Sequence, residues 1–273
     1  MTRVINRKPG RGNRLVLGLL PFVLLIAAYL AASHVRLAEN PNDKLLPSAA
    51  SLAEAAWRMA ATEDGRTGRV LLWQDTGASL RRLGLGLGFA TVLGLVFGIG
   101  IGLIPYARAG LAPAFAILSM IPPMAILPIL FIVFGLEEVS KVVLIVLGVG
   151  PFLVRDLAFR VQALPEELII KAQTLGACTW RIVLRVVLPQ VLPRLIAGLR
   201  LSLGPAWLFL IAAEAIAATE GLGYRIFLVR RYLAMDIILP YVAWITAVAF
   251  VSDLGLRWLT RHAFSWCEEG GGT

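Results

Sequence analysis

The chain has 273 residues, of which 58% are apolar and only 16% charged, and its mean hydropathy is +0.79. That apolar share is far above a water-soluble domain's, and so few charges cannot cover a soluble surface, so the composition defines an integral membrane protein. The net charge of +9 fits Lys and Arg flanking membrane spans; no basic run is interleaved with exposed aromatics, so nucleic acid is not an expected partner.

Residues 1–14 form a basic tail with Arg3, Arg7, Lys8, Arg11 and Arg14 and no acid. The apolar run 15–32 follows, long enough to cross a hydrocarbon core of roughly 30 Å at about 1.5 Å per residue. Ala31-Ala32-Ser33 offers small residues at a plausible signal-peptide cleavage point. The length of the run favours an uncleaved first transmembrane helix.

Residues 33–83 are mixed, with seven basic and six acidic side chains. They read as a solvent-facing connector holding a short amphipathic helix over 51–61 (Leu52, Ala55, Ala56, Met59). The second span is expected over 84–106. There Gly84, Gly88, Gly94, Gly98 and Gly102 predict a smooth stripe for close helix approach. The third, 112–134, contains Pro113, Pro122, Pro123 and Pro128 and must be kinked or broken. A short loop with Glu137 and Glu138 leads to the fourth span, 141–159. The fifth and sixth follow at 195–218 and 237–259, separated by an amphipathic stretch (221–235) carrying Arg225, Arg230 and Arg231. Residues 261–273 form a tail, expected to be disordered from Ser265 onward. The whole is an all-α polytopic membrane protein with about six transmembrane helices. A basic N-terminus puts both termini, and the loop at 160–194, in the cytoplasm; that loop carries five basic and two acidic residues.

Within it, Pro165 can begin a helix, and Glu166 and Glu167 fall in the first turn, at the positive end of the helix dipole. Leu168, Ala172 and Leu175 share one face, Lys171, Gln173 and Thr174 the other, and Gly176 ends the helix. A second stretch, 179–188, is expected to stop at Leu188-Pro189 and Leu192-Pro193 before the fifth span. Glu214 in the fifth span and Asp253 in the sixth are ionisable residues within the membrane, a costly placement that often marks a path. Glu214 falls near the outer interface, where pairing with an arginine is the alternative. Asp253 can pair with Arg257 one turn on, Arg200 can snorkel to the cytoplasmic interface, and Trp207 sits near mid-span. Cys178 and Cys267 form no CxxC pair, and His34 and His262 are far apart, so no metal site, disulfide or cofactor is expected.

The loop resembles the cytoplasmic "EAA" loop of ABC-importer permeases: Glu-Ala-Ala, three residues, Gly, nine residues, Ile-x-Leu-Pro. Ala172, Gly176, Leu188 and Pro189 fall in register; Ile170 and Lys171 replace Glu and Ala, and Val186 replaces Ile. Thr174-Leu175-Gly176-Ala177, Val187-Leu188-Pro189, Gly198-Leu199-Arg200, Ala206-Trp207, Ala212-Ala213-Glu214 and Gly221-Leu222-Gly223-Tyr224 resemble the nitrate/sulfonate/taurine branch, over roughly residues 80–260.

The resemblance implies a type I importer permease core over 84–260 in a bacterial inner membrane. Glu166, Leu168, Lys171, Ala172, Leu175, Gly176, Leu188 and Pro189 would couple it to a separate cytoplasmic ATPase, and Trp207 and Glu214 are the candidates for the translocation path. A solute-binding protein outside and a second permease, most simply another copy, would complete the assembly. The chain itself holds no GxxxxGK[ST] phosphate loop and no Gly-Lys pair. The branch resemblance comes closest to permeases associated with urea-carboxylase-type nitrogen assimilation, implying a small nitrogenous solute such as urea or guanidine; sulfonates, taurine and nitrate stay open. An ion-coupled secondary transporter or channel would instead place paired acids or His deep in several spans, or an inverted repeat. A membrane-bound enzyme would need clustered catalytic side chains.

Overall fold

The computed structural model describes residues 10–40, 43–63, 65 and 68–264. Among them five helices are long and apolar enough to cross a membrane, and a bent pair makes a sixth. Most of the basic N-terminal tail and the stretch from Ser265 onward, including Cys267, lie outside the described residues. The chain divides into two units, Met1–Thr62 with Val229–Tyr241, and Glu63–Leu228 with Val242–Thr273.

In the first unit, α1 (Arg11–Glu39) exposes its isoleucine, its valines and every leucine but Leu37, as a helix surrounded by lipid does. Its C-terminal half is tied to the chain that follows: the Tyr29 hydroxyl donates to Pro47 O at 2.8 Å, and Ser33 donates to the carbonyls of Leu46 and Pro47. Ser48 then caps α2 (Ala49–Ala61) by accepting from Ser51 N.

The second unit is built around α7 (Glu138–Gln162), whose apolar stripe of Leu144, Ile145, Val149, Leu153, Val154, Leu157 and Val161 is wholly buried. The second span starts at Leu71 rather than Gly84: α3 (Leu71–Leu93), a π-helical turn (Gly94–Gly98) and α4 (Ile99–Leu103) form one continuous helix. The small-residue stripe exists, in a shifted register. Gly86, Ala90, Gly94, Gly98 and Gly102 line the contact, not Gly84 and Gly88. A methyl group added at Gly86, Gly98 or Gly102 would lie 2.7, 2.9 or 2.4 Å from Ile145, Leu157 or Val161 of α7. At Gly84 and Gly88 it would meet nothing.

The proline-rich third segment is broken, as its composition requires. α5 (Pro105–Leu118) and α6 (Pro123–Phe134) meet at 95° across Ser119–Pro122. After α7 come α8 (Glu166–Thr174), α9 (Thr179–Ile182), a second π-helical turn (Val183–Val187) and α10 (Leu188–Ala217). Leu188-Pro189 and Leu192-Pro193 therefore do not stop the helix; it runs from Thr179 into the fifth span. A proline lacks the N–H for the usual bond and its ring crowds the carbonyl four residues back. The wider π turn just before Pro189 accommodates that crowding, since its carbonyls pair five residues on. α11 (Leu222–Arg230) and α12 (Met235–Ala263) complete the chain.

Candidate functional site: a polar clamp and an exposed connecting helix

Two polar constructions occupy opposite ends of the second unit, separated by α7, whose 25 residues span about 37 Å at about 1.5 Å each.

At one end, Asp75, Ser79 and Arg82 follow one another on α3 at i, i+4 and i+7, so they stack along one face. Arg82 is 2% exposed, yet every side of its guanidinium is met. Nε and Nη2 donate to the two carboxylate oxygens of Glu138 at 2.7 and 2.6 Å, a bidentate pair. Nη1 donates to Glu214 Oε1 at 2.7 Å and to the Glu220 carbonyl at 2.9 Å. Glu214, fully buried, also accepts from Ser79 Oγ and from Gly223 N. The Asp75 carboxylate takes Gly221 N at 2.9 Å and Arg225 Nε at 2.8 Å, and Leu222 N donates to Ser79 Oγ. Four elements, α3, α7, α10 and the start of α11, are thus fixed to one another around the buried Asp75, Arg82 and Glu214, with the half-exposed Glu138 closing the α7 side.

The loop between α10 and α11 fits this clamp because Gly221 has φ +123°, and a methyl group there would lie 2.6 Å from the Glu214 carboxylate. Only glycine combines that backbone with that proximity. Lys141, also buried, donates to the carbonyls of Leu136 and Glu137, holding the chain that enters α7. Glu214 is therefore paired with Arg82 in the interior of the unit. Trp207, two turns earlier on α10, is likewise buried, at 4% exposure. Asp253 joins Arg200 on α10 at 2.7 Å as well as Arg257 at 2.9 Å, so Arg200 ties α10 to α12 instead of reaching out to an interface. Among the described residues no group of three or more His, Cys, Asp or Glu comes together in an arrangement that could hold a metal.

At the other end, Pro165 precedes α8, and Glu166 and Glu167 occupy its first turn. The helix closes in a Schellman motif: Gly176 N donates to Gln173 O, Ala177 N donates to Ala172 O, and Gly176 has φ +77°. None of the side chains of α8 is buried. Ile170 is 54% and Leu175 87% exposed, and Leu168 and Trp180 are exposed beside them. Lys171 points outward as well, and Ala172 is half-buried. Leu188 and Pro189 stand apart from α8, at the start of α10; Pro189 lines a cavity of about 390 Å³ with Arg160, Leu164 and Arg194.

Asp75, Ser79, Arg82 and Glu138 were not among the residues singled out from sequence. The heptad-spaced polar stripe at 75, 79 and 82, at the head of an apolar helix, is the signal that could have found three of them.

Long spans joined by an exposed, partly apolar short helix define a multi-pass membrane subunit with a surface presented to something else. Residues 90–264 match the family of binding-protein-dependent transport system inner membrane components, and the chain belongs to that family. It is 40% identical over 198 residues to the taurine transport system permease protein TauC of Escherichia coli (strain K12), covering 72% of each chain. It is 34% identical over 194 residues to the bicarbonate transport system permease protein CmpB of Synechococcus elongatus, covering 70% of this chain and 69% of that one. Its fold matches that of the inward-facing MetNI methionine ABC transporter with a TM-score of 0.62 at 20% identity, over 70% of this chain and 95% of that chain. The protein is a permease component of an ABC importer, a transport subunit and not an enzyme, and that membership sets aside the ion-coupled transporter or channel.

Proposed function

We propose that this permease forms half of a translocation path and is driven by a separate cytoplasmic ATPase through α8. The observation that carries the coupling role is the exposure of Leu168 and Ile170 on a nine-residue helix and of Leu175 at its C-cap, locked by Gly176. Apolar side chains left in water on so short an element favour burial against another protein. A rigid Schellman turn and the uninterrupted helix from Thr179 to Ala217 suit the transfer of a push from that partner into the membrane. In this reading both termini and α8 are cytoplasmic, a binding protein delivers solute from outside, and a second copy of the chain supplies the other half of the path. Trp207 and Glu214 act as packing and clamp residues behind the path.

For the solute, the relationship to a taurine permease supports a small sulfonate-bearing or nitrogenous compound of the taurine kind. The test is uptake of labelled taurine by proteoliposomes containing the permease, its ATPase and its binding protein, competed with nitrate, urea and guanidine. Taurine uptake, abolished by deletion of residues 166–176 with membrane insertion intact, is the expected result. Competition by urea alone overturns the solute assignment, and undiminished uptake by the deletion overturns the coupling role.

A further inference from the structure

Arg155 is a cation inside a membrane span that the clamp does not use. It lies seven residues from the end of α7, about 10 Å along the helix, just before the Asp156–Arg160 pair that closes the span. Among the described residues its guanidinium bonds a neutral group: Nη1 donates to Ser119 Oγ at 2.6 Å, and that hydroxyl donates onward to Ala116 O. The neighbouring acid, Asp156, is engaged elsewhere, with Arg160 one turn on. Ser119 sits at the 95° elbow between α5 and α6, so this bond joins α7 to the break in the third span.

Beside it is a cavity of about 410 Å³ between α4, α5 and α7, lined by Arg155, Arg108 and Gln162 and by the apolar Phe115, Phe159 and Ala112. No acid lines it. Arg108 spends two of its nitrogens on the carbonyls of Ile101 and Gly102 at the end of α4, which fixes its position at the rim. A half-buried guanidinium with donors to spare, facing a largely apolar cavity that also holds Arg108 and whose lining has no acid, suits an anion with paired oxygens.

We propose that this cavity is an oxyanion-binding site, with Arg155 supplying the fork that receives a sulfonate or phosphate group. This rests on the importer reading only for the identity of one source. The oxyanion can be the sulfonate of a transported solute or the phosphate of an anionic lipid, and both present planar pairs of oxygens that a guanidinium engages bidentately.

The test places a reporter in the cavity. In the assembled transporter, with Cys178 and Cys267 replaced by Ala, Ala112→Cys is labelled by an anionic methanethiosulfonate reagent (ethylsulfonate) and by its cationic trimethylammonium counterpart. With Arg155 present the anionic reagent reacts faster, and Arg155→Gln lowers the anionic-to-cationic rate ratio by about tenfold, as removal of one nearby charge in a partly screened site requires. Arg155→Lys keeps the charge and the preference but loses protection by a bound oxyanion, and it serves as the measurement if the Gln variant does not give a monodisperse complex. Protection by millimolar taurine in neutral-lipid nanodiscs assigns the site to solute; protection by phosphatidylglycerol in place of taurine assigns it to lipid. Equal rates for the two reagents, a ratio unchanged in Arg155→Gln, or protection by neither anion overturns the proposal. If the wild-type transporter moves no sulfonate while the ratio and lipid protection persist, the solute assignment has failed and the site has not.

Discussion

Replacing Arg82 by Met removes the cation bonded to Glu214 and leaves that buried carboxylate, among the described residues, with Ser79 and Gly223 N as its hydrogen-bond partners. Breaking a buried ion pair from one side costs about 3–5 kcal/mol, mostly because the remaining charge is stranded. For a unit of this size each kcal/mol lowers the midpoint by roughly 2–4 °C, so Arg82→Met should melt on the order of 10 °C below wild type. The stranded charge also fixes the sign of a second substitution. Glu214→Gln in the wild-type background leaves Arg82 with the half-exposed Glu138 and Glu220 in place of its buried partner and destabilises; in the Arg82→Met background it removes the orphaned charge and stabilises. The assay is thermal unfolding of purified permease in detergent, run as a double-mutant cycle with Arg257→Met as the reference. Arg257 is half exposed in its pair with Asp253, and its loss should cost about 1 kcal/mol or less. Additive effects of the two substitutions, or an Arg82→Met midpoint no lower than that of Arg257→Met, would refute the clamp as a structural unit.

The shifted small-residue stripe makes paired predictions. Gly102→Ala puts a methyl group 2.4 Å from Val161 and should destabilise by about 1–3 kcal/mol, whereas Gly84→Ala meets nothing and should leave the melting midpoint unchanged or raised. Gly221→Ala combines a backbone clash at φ +123° with contact on the Glu214 carboxylate; it should lower the midpoint as Arg82→Met does, and a double variant should fall short of additivity. Leu175→Glu, at an 87% exposed position, should leave stability within about 0.5 kcal/mol but reduce recovery of the ATPase on co-purification at least tenfold. Wild-type recovery would contradict a docking role for α8.

The number of spans, the broken third segment and the short helix ended by Gly176 were legible in the sequence, because each rests on a local rule: run length, proline placement, amphipathic spacing with a terminal glycine. The misread features depend on what lies opposite. Glycines at 84 and 88 look the same as those at 86 and 102 until the facing side chains of α7 choose one row. The prolines at 189 and 193 read as a stop because the π turn before Pro189 leaves no compositional mark and the helix carries Pro193 within it. Glu214 could be recognised as a charge in a span with an arginine partner as one option, but its partner lies 132 residues away on α3. Local periodicity could not make that pairing. Arg200 was read as an interfacial residue for the same reason, its carboxylate lying on α12.

In the proposed mechanism ATP, acting through α8, drives solute across this permease. That coupling is tested most directly by measuring hydrolysis and labelled solute uptake together in proteoliposomes holding the permease, its ATPase and its binding protein. Uptake should require ATP and the binding protein, and Leu175→Glu should abolish it together with binding-protein-stimulated hydrolysis. Uptake by the permease alone under an imposed sodium or proton gradient, unaffected by Leu175→Glu, would contradict it.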